Sequence, residues 1–267
     1  MRSFFQTLLL VVFSLAASAL QAQTATQTCA APGLDGINYS TPSYFAGAAT
    51  TGASATSVSV GAIRTGAGAG TAPLGVGDLV MIIQMQDGTF NTANSTAFGA
   101  NDATGRGYTS LGNAGKFEFR RVTSVAGGII GIDTALQNIY TRAAPTAAGT
   151  AASGQRRFQV IRVPQFSNVT LPAGTTVVPD WNGETGGVWV IDATGNVNLN
   201  GAIIDANGGG VRGAGGGRDA DIRGATDYAA PLVNATVGVD NANRGAFKGE
   251  GTNGTPRLVR NAAANLP

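Results

Sequence analysis

Residues 185–217 read TGGVWVIDATGNVNLNGAIIDANGGGVRGAGGG, and this stretch decides which fold the sequence predicts. Short β-prone runs at residues 188–191, 197–199 and 202–204 are separated by Asp, Asn and Gly, and the last run gives way to glycine. Each tight bend of a coiling chain needs residues that tolerate left-handed backbone angles, and these three residue types do so best. The stretch therefore predicts rungs of a parallel β-helix, or β-solenoid.

The residues that precede this stretch also contain short apolar runs at a similar spacing. Val169 and Leu171, and then Val177 and Val178, form short apolar runs that are each followed by Pro or Gly. Apolar clusters thus recur about every ten residues, as expected for strands joined by tight bends, although they show no strict repeat period. The predicted rung region covers residues 165–210.

A compact all-β module is predicted before the rungs, over residues 76–164. GDLVMIIQMQDG at residues 77–88 is typical of a strand whose centre is buried on both sides, closed by an Asp-Gly turn. KFEFRRVTSV at residues 116–125 alternates and returns as IIGI at residues 129–132, which predicts a hairpin. RFQVIRV at residues 157–163 predicts another strand, stopped by Pro164. The module is expected to be a β-sandwich or a barrel.

Three further segments are distinguished by composition. Residues 1–22 have Arg2, an apolar core at residues 8–15 and small residues up to Ala22, which predicts a secretory signal peptide. Residues 23–75 predict a low-complexity Ala/Thr/Gly arm with one docked strand near residues 58–63. Residues 211–267 predict a Gly-rich, partly disordered tail, and the chain is expected to be a fragment of a longer protein.

The composition excludes several classes of function. Only 12% of residues are charged and the net charge is +2, so the concentrated positive charge of a nucleic-acid binder is absent. No run after the signal peptide approaches the roughly 18 apolar residues of a membrane span. Cys29 is the single cysteine, so no disulfide within the chain is possible. An exported protein, secreted or held at the cell surface or outer membrane, is the predicted class.

One residue type on which much enzymatic chemistry depends is also missing. The chain has no histidine, which excludes imidazole bases, His-assisted nucleophiles and His zinc ligands. Carboxylates remain, and a β-helix can stack Asp205, Asp219 and Asp221 along one ridge, where they would bind Ca²⁺ or act as acid and base. The spacing in GGGRDADIR does not match the calcium-binding nonapeptide, so solvated turn aspartates are the competing interpretation.

Aromatic side chains offer a second kind of candidate site. Trp181 stands in a predicted turn beside Asn182 and Gly183, where it would form an exposed platform for a sugar ring, whereas Trp189 stands within an apolar strand and is expected in the core. Phe98 and Tyr108 lie in a long polar loop predicted for residues 89–114. They would contact a ligand or attach the loop to the body of the protein.

The strands GDLVMIIQMQ and KFEFRRVTSV, the Gly-rich rung region and the later GEGTNGTPR together resemble the N-terminal regions of large, repeat-containing bacterial surface or secreted proteins. The resemblance covers residues 77–257. It implies an adhesin-like or envelope component, and it brings no set of catalytic residues.

The sequence therefore supports one main hypothesis and two alternatives. The first is an exported cell-surface or secreted segment with a structural or adhesive role, whose partners are polysaccharides or other surface components. The second is a polysaccharide-active β-helix enzyme, a hydrolase or lyase that uses carboxylates. The third is a passive scaffold stabilised by calcium, with no other cofactor.

Overall fold

The computed structural model describes residues 33–91, 107–144, 154–211, 251–252, 259–260 and 265–266. These residues form β-strands and turns, and none of them is helical. In chain order the strands are β1 (Ser43–Gly47), β2 (Ser57–Ile63), β3 (Leu79–Gln86), β4 (Thr89–Asn91), β5 (Gly107–Ser110), β6 (Phe117–Ala126), β7 (Ile129–Ile132), β8 (Arg157–Val163), β9 (Gln165–Phe166), β10 (Val169–Thr170), β11 (Gly174–Val177), β12 (Asp192–Ala193), β13 (Val197–Asn198), β14 (Ala202–Asp205), β15 (Val259–Arg260) and β16 (Asn265–Leu266). The predicted all-β class is confirmed.

Six strands close into a barrel in the order β1-β2-β7-β6-β3-β8. All neighbours in the barrel pair antiparallel. Closure leaves no strand edge unpaired, which removes the sites where other chains would add. Of the two architectures that the sequence allowed for this module, the barrel is the one observed.

The strands with the clearest apolar patterns are where the sequence predicted them. β3, β6, β7 and β8 coincide with the predicted runs, and β6 and β7 form the predicted hairpin with Ala126 opposite Ile129. Gly127 and Gly128 both have positive φ, at 57° and 77°, as a two-residue hairpin turn requires. Local pattern was sufficient for these elements.

The arm predicted for residues 23–75 is wrong as a separate unit. It supplies both β1 and β2 to the barrel, so the barrel begins well before residue 76. Tyr44 and Phe45 of β1 are buried, and β1 pairs with β8 more than a hundred residues later. The small residues around β1 gave too weak a pattern, because this strand is stabilised by partners distant in sequence.

β3 and β8 are buried on both faces, as predicted for β3. One face contributes Val80, Ile82, Phe158 and Val160 to the barrel interior. The other contributes Leu79, Met81, Ile161 and Val163 to a cluster outside the barrel, against which Val188 and Val190 pack. The barrel wall therefore joins two hydrophobic cores, and the second core holds the chain that follows the barrel.

Residues 134–140 pass over the end of the barrel interior. Leu136 and Tyr140 are buried in the interior cluster. Glu118, on the inward face of β6, accepts hydrogen bonds from the backbone N–H groups of Gln137 and Asn138 at 2.9 and 2.7 Å. It also forms a buried ion pair with Arg120. A buried carboxylate thus holds the segment in place.

After the barrel the strands pair parallel in two layers. The first layer contains β9, β10 and β11 and the second contains β12, β13 and β14, paired in that order. Gly174 pairs with Ala202, 28 positions later, and Gln165 pairs with Asp192, 27 positions later. Phe166, Val169 and Leu171 form a buried cluster on which the second layer rests.

The remaining described strands form the antiparallel pairs β4–β5 and β15–β16. Thr252 O accepts hydrogen bonds from the backbone N–H groups of Asp87 and Gly88, at 2.9 and 2.8 Å. The predicted signal peptide and most of the predicted Gly-rich tail lie outside the described residues. Within the described part, no helix has the length and apolar character needed to cross a membrane.

Candidate functional site

The candidate site is the second layer, residues 192–205, together with the loop that fixes its position. We call residues 179–187, between β11 and β12, the junction loop. Trp181 N donates to Gly209 O at 2.8 Å, and Gly187 N donates to Pro179 O at 2.7 Å. The loop is therefore bonded both to itself and to the end of the second layer.

Barrel side chains hold the junction loop through its backbone. Arg64 Nη1 donates to the carbonyl oxygens of Asp180 and Thr185, each at 2.6 Å. The amide of Gln159 donates to Gly186 O at 2.9 Å and accepts from Gly186 N at 2.8 Å. Because Gln159 is fully buried, this two-way hydrogen bond is protected from water.

A carboxylate adds an ionic attachment. Glu184 accepts from Arg142 Nη1 at 2.5 Å and from Arg157 Nε at 2.7 Å. Burial lowers the pKa of Arg157, and the Glu184 carboxylate opposes that shift. Arginine stays protonated in proteins, so the two guanidinium groups remain charged around one carboxylate. The barrel thereby fixes the junction loop, and through it the start of the second layer.

One glycine in the junction loop is required by both its backbone angle and its surroundings. Gly186 has a φ of +108°, and a Cβ there would lie 2.3 Å from Asp180 O and 2.4 Å from Arg64 Nη1. Gly174 has a similar φ of +93° but nothing within 4 Å of its Cβ position. A Cβ would impose backbone strain at both positions but a steric conflict only at Gly186. Comparing the two substitutions therefore distinguishes the two costs.

We therefore expect Gly186→Ala to be more destabilising than Gly174→Ala. Both substitutions impose strain, roughly 1–3 kcal/mol at such angles, but only the first also displaces the Arg64 contacts. Urea unfolding should show an additional loss of about 1–3 kcal/mol for Gly186→Ala, the usual cost of inserting an atom into a filled space. Equal losses for the two variants would mean that the junction loop tolerates displacement.

The register of the layers is marked by a short repeat in the sequence. Asn168-Val169-x-Leu171 recurs as Asn196-Val197-x-Leu199, 28 positions later. Val169 pairs with Val197. Asn168 Oδ1 also accepts from Asn196 N at 2.8 Å, which links equivalent residues of the two layers. This repeat would have indicated the period of the layers. The apolar runs alone did not show it, because the most specific residue of the repeat is the polar asparagine.

The second layer exposes apolar residues whose first-layer counterparts are buried. Val169 and Leu171 are 2% and 1% exposed, whereas Val197 and Leu199 are 44% and 56% exposed. Within the described residues, β12, β13 and β14 each pair with one strand only. In this part of the chain an unpaired strand edge therefore lies beside an exposed apolar stripe, an arrangement suited to binding another strand.

Trp181 is not the exposed platform that its turn-like context predicted. Its side chain is 1% exposed and lies beside Gly187, so it belongs to the interior. Trp189 is half-buried, and its Nε1 donates to the Tyr39 hydroxyl at 3.4 Å. The prediction was wrong because the junction loop is folded onto the barrel, which turns a local turn residue into an anchor.

The other two aromatic candidates are not brought to the site by any described contact. Tyr108 lies in β5, where its backbone is paired with Phe90 in β4, and its side chain is outside the described part. Phe98 lies outside the described residues. Their predicted ligand contacts stay predictions.

Of the three predicted metal ligands, one lies in the described part of the chain and two do not. Asp205 Oδ1 accepts from Asn207 N at 2.9 Å, the hydrogen bond of a turn aspartate. Asp219 and Asp221 lie outside the described residues. In the described part of the chain, no three His, Cys, Asp or Glu residues are grouped as metal ligands. The calcium hypothesis for Asp205, Asp219 and Asp221 stays a prediction.

No family model and no curated protein matches the chain. Among solved structures, the chain is similar to the Gp54 tailspike of Acinetobacter baumannii bacteriophage AP22, solved in complex with A. baumannii capsular saccharide. The match has 16% sequence identity and a TM-score of 0.23, and it covers 62% of this chain and 23% of the tailspike chain.

Proposed function

We propose that this chain is an exported bacterial surface or secreted segment with a structural or adhesive role, in which the barrel carries the first end of a parallel β-helix. The observation that carries the proposal is the difference between the two ends of the parallel layers. One end is covered, and among the described residues no further strand pairs with the other. Repeat proteins that grow by stacking need such a covered terminal unit to start the stack.

The covered end is formed by residues 33–40. Asp35 N donates to Gln165 O at 2.8 Å, and Ser167 N donates to Gly36 O at 3.1 Å, so this segment bonds to the first layer on the side away from the second. Tyr39 stacks on Phe166 with ring centroids 6.4 Å apart. The first layer is thereby covered at β9 by backbone and by an aromatic ring.

The same segment is tied to the barrel by charge. Arg162 Nη2 lies 2.6 Å from Asp35 Oδ1 and 2.9 Å from Asp78 Oδ1, and all three side chains are largely buried. Burial lowers the pKa of Arg162, but the two carboxylates outweigh it and raise the pKa above its usual value. Barrel, covering segment and first layer therefore form a continuous support for the second layer.

The proposed export rests on residues 1–22, whose composition is that of a signal peptide. The proposed partners, polysaccharides or other cell-surface components, rest on the resemblance to bacterial surface proteins. We propose no catalytic role. Glu118, Glu184 and Asp205, three acids whose contacts are described, serve ion pairs and turns.

Expression in a Gram-negative host with a C-terminal epitope tag tests the export. We expect the tagged protein outside the cytoplasm, with a new N-terminus after Ala19 or Ala22. The matched control is Leu10→Arg, which places a charge in the apolar core of the signal and should retain the uncleaved chain in the cytoplasm. Equal cytoplasmic retention of both proteins, with Met1 intact, would refute the export.

Binding of the purified mature protein tests the adhesive role. The tagged protein should bind bacterial cells or immobilised polysaccharides above the level of the same protein unfolded in urea and diluted into the assay. Exported protein that binds neither cells nor polysaccharides would leave only the structural role of the proposal.

A further inference from the structure

Residues 33–40, the covering segment, lie beside β9 in the way that a preceding layer would. Asp35 N donates to Gln165 O, and Ser167 N donates to Gly36 O. As the segment advances from residue 35 to residue 36, its bonded partner in the first layer advances from 165 to 167, so the two chains run in the same direction. β12 also runs parallel to β9, on the other side. The covering segment therefore imitates a parallel strand of the stack.

Asp35 provides the polar part of this cover. Its N–H donates to the carbonyl oxygen of Gln165, and its Oδ2 accepts from the N–H of the same residue at 2.7 Å. Its Oδ1 lies 2.6 Å from Arg162 Nη2, which ties the segment to the barrel. One aspartate thus occupies both backbone groups of Gln165 and anchors the cover.

Tyr39 provides the apolar part. Its ring stacks on Phe166 and packs against the buried cluster to which Val169 and Leu171 also belong. The Phe166 side chain is fully buried. Without the covering segment, a phenylalanine ring would become exposed beside the backbone groups of residues 165–167, and such a combination favours the addition of another strand.

The first layer has no charged side chain that would discourage such an addition. Residues 165–179 contain no Lys, Arg, Asp or Glu. Natural proteins protect a strand edge with charges or with a covering segment, and here the cover is the device that is present. The net charge of +2 also gives little repulsion between copies of the chain.

We propose that the backbone of residues 165–167 and the Phe166 ring form a self-association surface, which the covering segment keeps from a second copy of this chain. The strand that fits beside β9 is known from its other side, where β12 pairs with it in parallel, and a second copy supplies strands of this kind. The inference rests on the covered end of the proposed function, and it specifies what that cover prevents.

Two substitutions that weaken the cover test this inference. Asp35→Ala removes the bond to Gln165 N and the ion pair with Arg162, whereas Tyr39→Ala removes only the aromatic cover and keeps that ion pair. Tyr39→Ala therefore still reports if Asp35→Ala does not fold. Ile37→Ala is the matched control, because Ile37 belongs to the same segment and is 66% exposed.

Hydrogen exchange and sedimentation velocity of the mature protein are the measurements, and all proteins carry Cys29→Ser so that no disulfide forms between copies. In dilute solution, the amides of Gln165 and Ser167 should exchange about tenfold faster in the two weakened variants, because the bonds that protect them open more often. At high concentration these variants should sediment as dimers, and the protection of both amides should return. The parent and Ile37→Ala should show neither change.

The other outcomes overturn the inference in distinguishable ways. Faster exchange without association would leave the covered end intact and show that β9 accepts no second copy. Association without renewed protection of residues 165–167 would place the contact between copies elsewhere. Equal association of the parent or of Ile37→Ala would mean that the cover does not control it. If neither weakened variant exchanges faster, the covering segment does not protect the first layer, and the covered end within the proposed function falls too.

Discussion

Replacing Trp181 with alanine is expected to lower the free energy of unfolding by about 3–5 kcal/mol, the usual cost of removing a buried tryptophan. The side chain is almost fully buried within the junction loop, which leads from the first layer to the second. Its backbone also donates to Gly209 O, so a collapse around the lost ring would disturb the end of that layer. Urea unfolding of the mature protein, followed by circular dichroism, measures the effect.

Trp189→Ala is the matched control because it removes the same side chain from a half-buried position eight residues later. It loses less apolar burial and one long hydrogen bond to Tyr39. We expect a clearly smaller loss of stability than for Trp181→Ala. A loss for Trp189→Ala equal to or greater than that for Trp181→Ala would show that Trp181 is not the anchor that the structure indicates.

Removing the Glu118 side chain is the second change with a large expected effect. Glu118→Ala leaves Arg120 as an unpaired buried charge, and breaking a buried ion pair from one side costs about 3–5 kcal/mol. The variant also removes the acceptor of the Gln137 and Asn138 N–H groups, so the segment over the barrel end loses part of its attachment. The same urea measurement applies.

Asp133→Ala is the control for this position. Asp133 is an exposed carboxylate at the end of the same hairpin, and its Oδ1 accepts from Arg121 N at 3.1 Å. Its removal is expected to cost about 1 kcal/mol or less, as for one exposed hydrogen bond. Similar losses for Asp133→Ala and Glu118→Ala would contradict a structural role for the buried pair.

The ionisation of Glu118 gives this prediction a pH dependence. Burial opposes ionisation, but hydrogen bonds from Gln137 and Asn138 and the charge of Arg120 outweigh it and hold the pKa of Glu118 below its ordinary value. A carboxyl whose pKa is lowered by folding stabilises the protein above the unfolded-state pKa, about 4.3 for Glu, and loses that contribution as the pH falls through the folded-state pKa. In this acidic range the stability of Glu118→Gln should fall less steeply than that of the unmodified protein.

Both large effects concern the support of the second layer rather than the layer itself. Glu118 holds the segment that closes the barrel interior, and Trp181 anchors the loop that leads from the first layer to the second. The ion pairs of Glu184 with Arg142 and Arg157 connect these two regions. These contacts therefore hold the second layer against the barrel.

Much of the barrel was predictable because its strands have strong local patterns. β3 is apolar on both faces over most of its length, β8 alternates and stops at Pro164, and the β6–β7 hairpin combines alternation with a Gly-Gly turn. β1 was not predictable in the same way. Its five residues, SYFAG, have a weak local preference, and they become a strand because β2 and β8 offer edges on both sides.

The candidate site was less predictable than the barrel. The rung-like strands were expected at residues 165–210, where the parallel pairs lie, but no period was assigned to them. The sequence predicted an exposed Trp181 and a buried Trp189, whereas Trp181 is the more deeply buried of the two. Exposure of a turn residue depends on what the turn folds against, and the contacts of the junction loop with Arg64 and Gln159 join residues separated by more than 25 positions.

The sequence by itself determined the all-β class, the strongly patterned strands and the glycine-rich bends, because these depend on side-chain alternation and on backbone preferences that act within a few residues. Only the tertiary structure decided that the barrel closes, that Trp181 is an anchor and that Val197 and Leu199 of the second layer are exposed. Those features depend on burial and pairing between distant segments. Local propensity cannot specify them, since the same residue is stable in a turn or in a core according to what covers it.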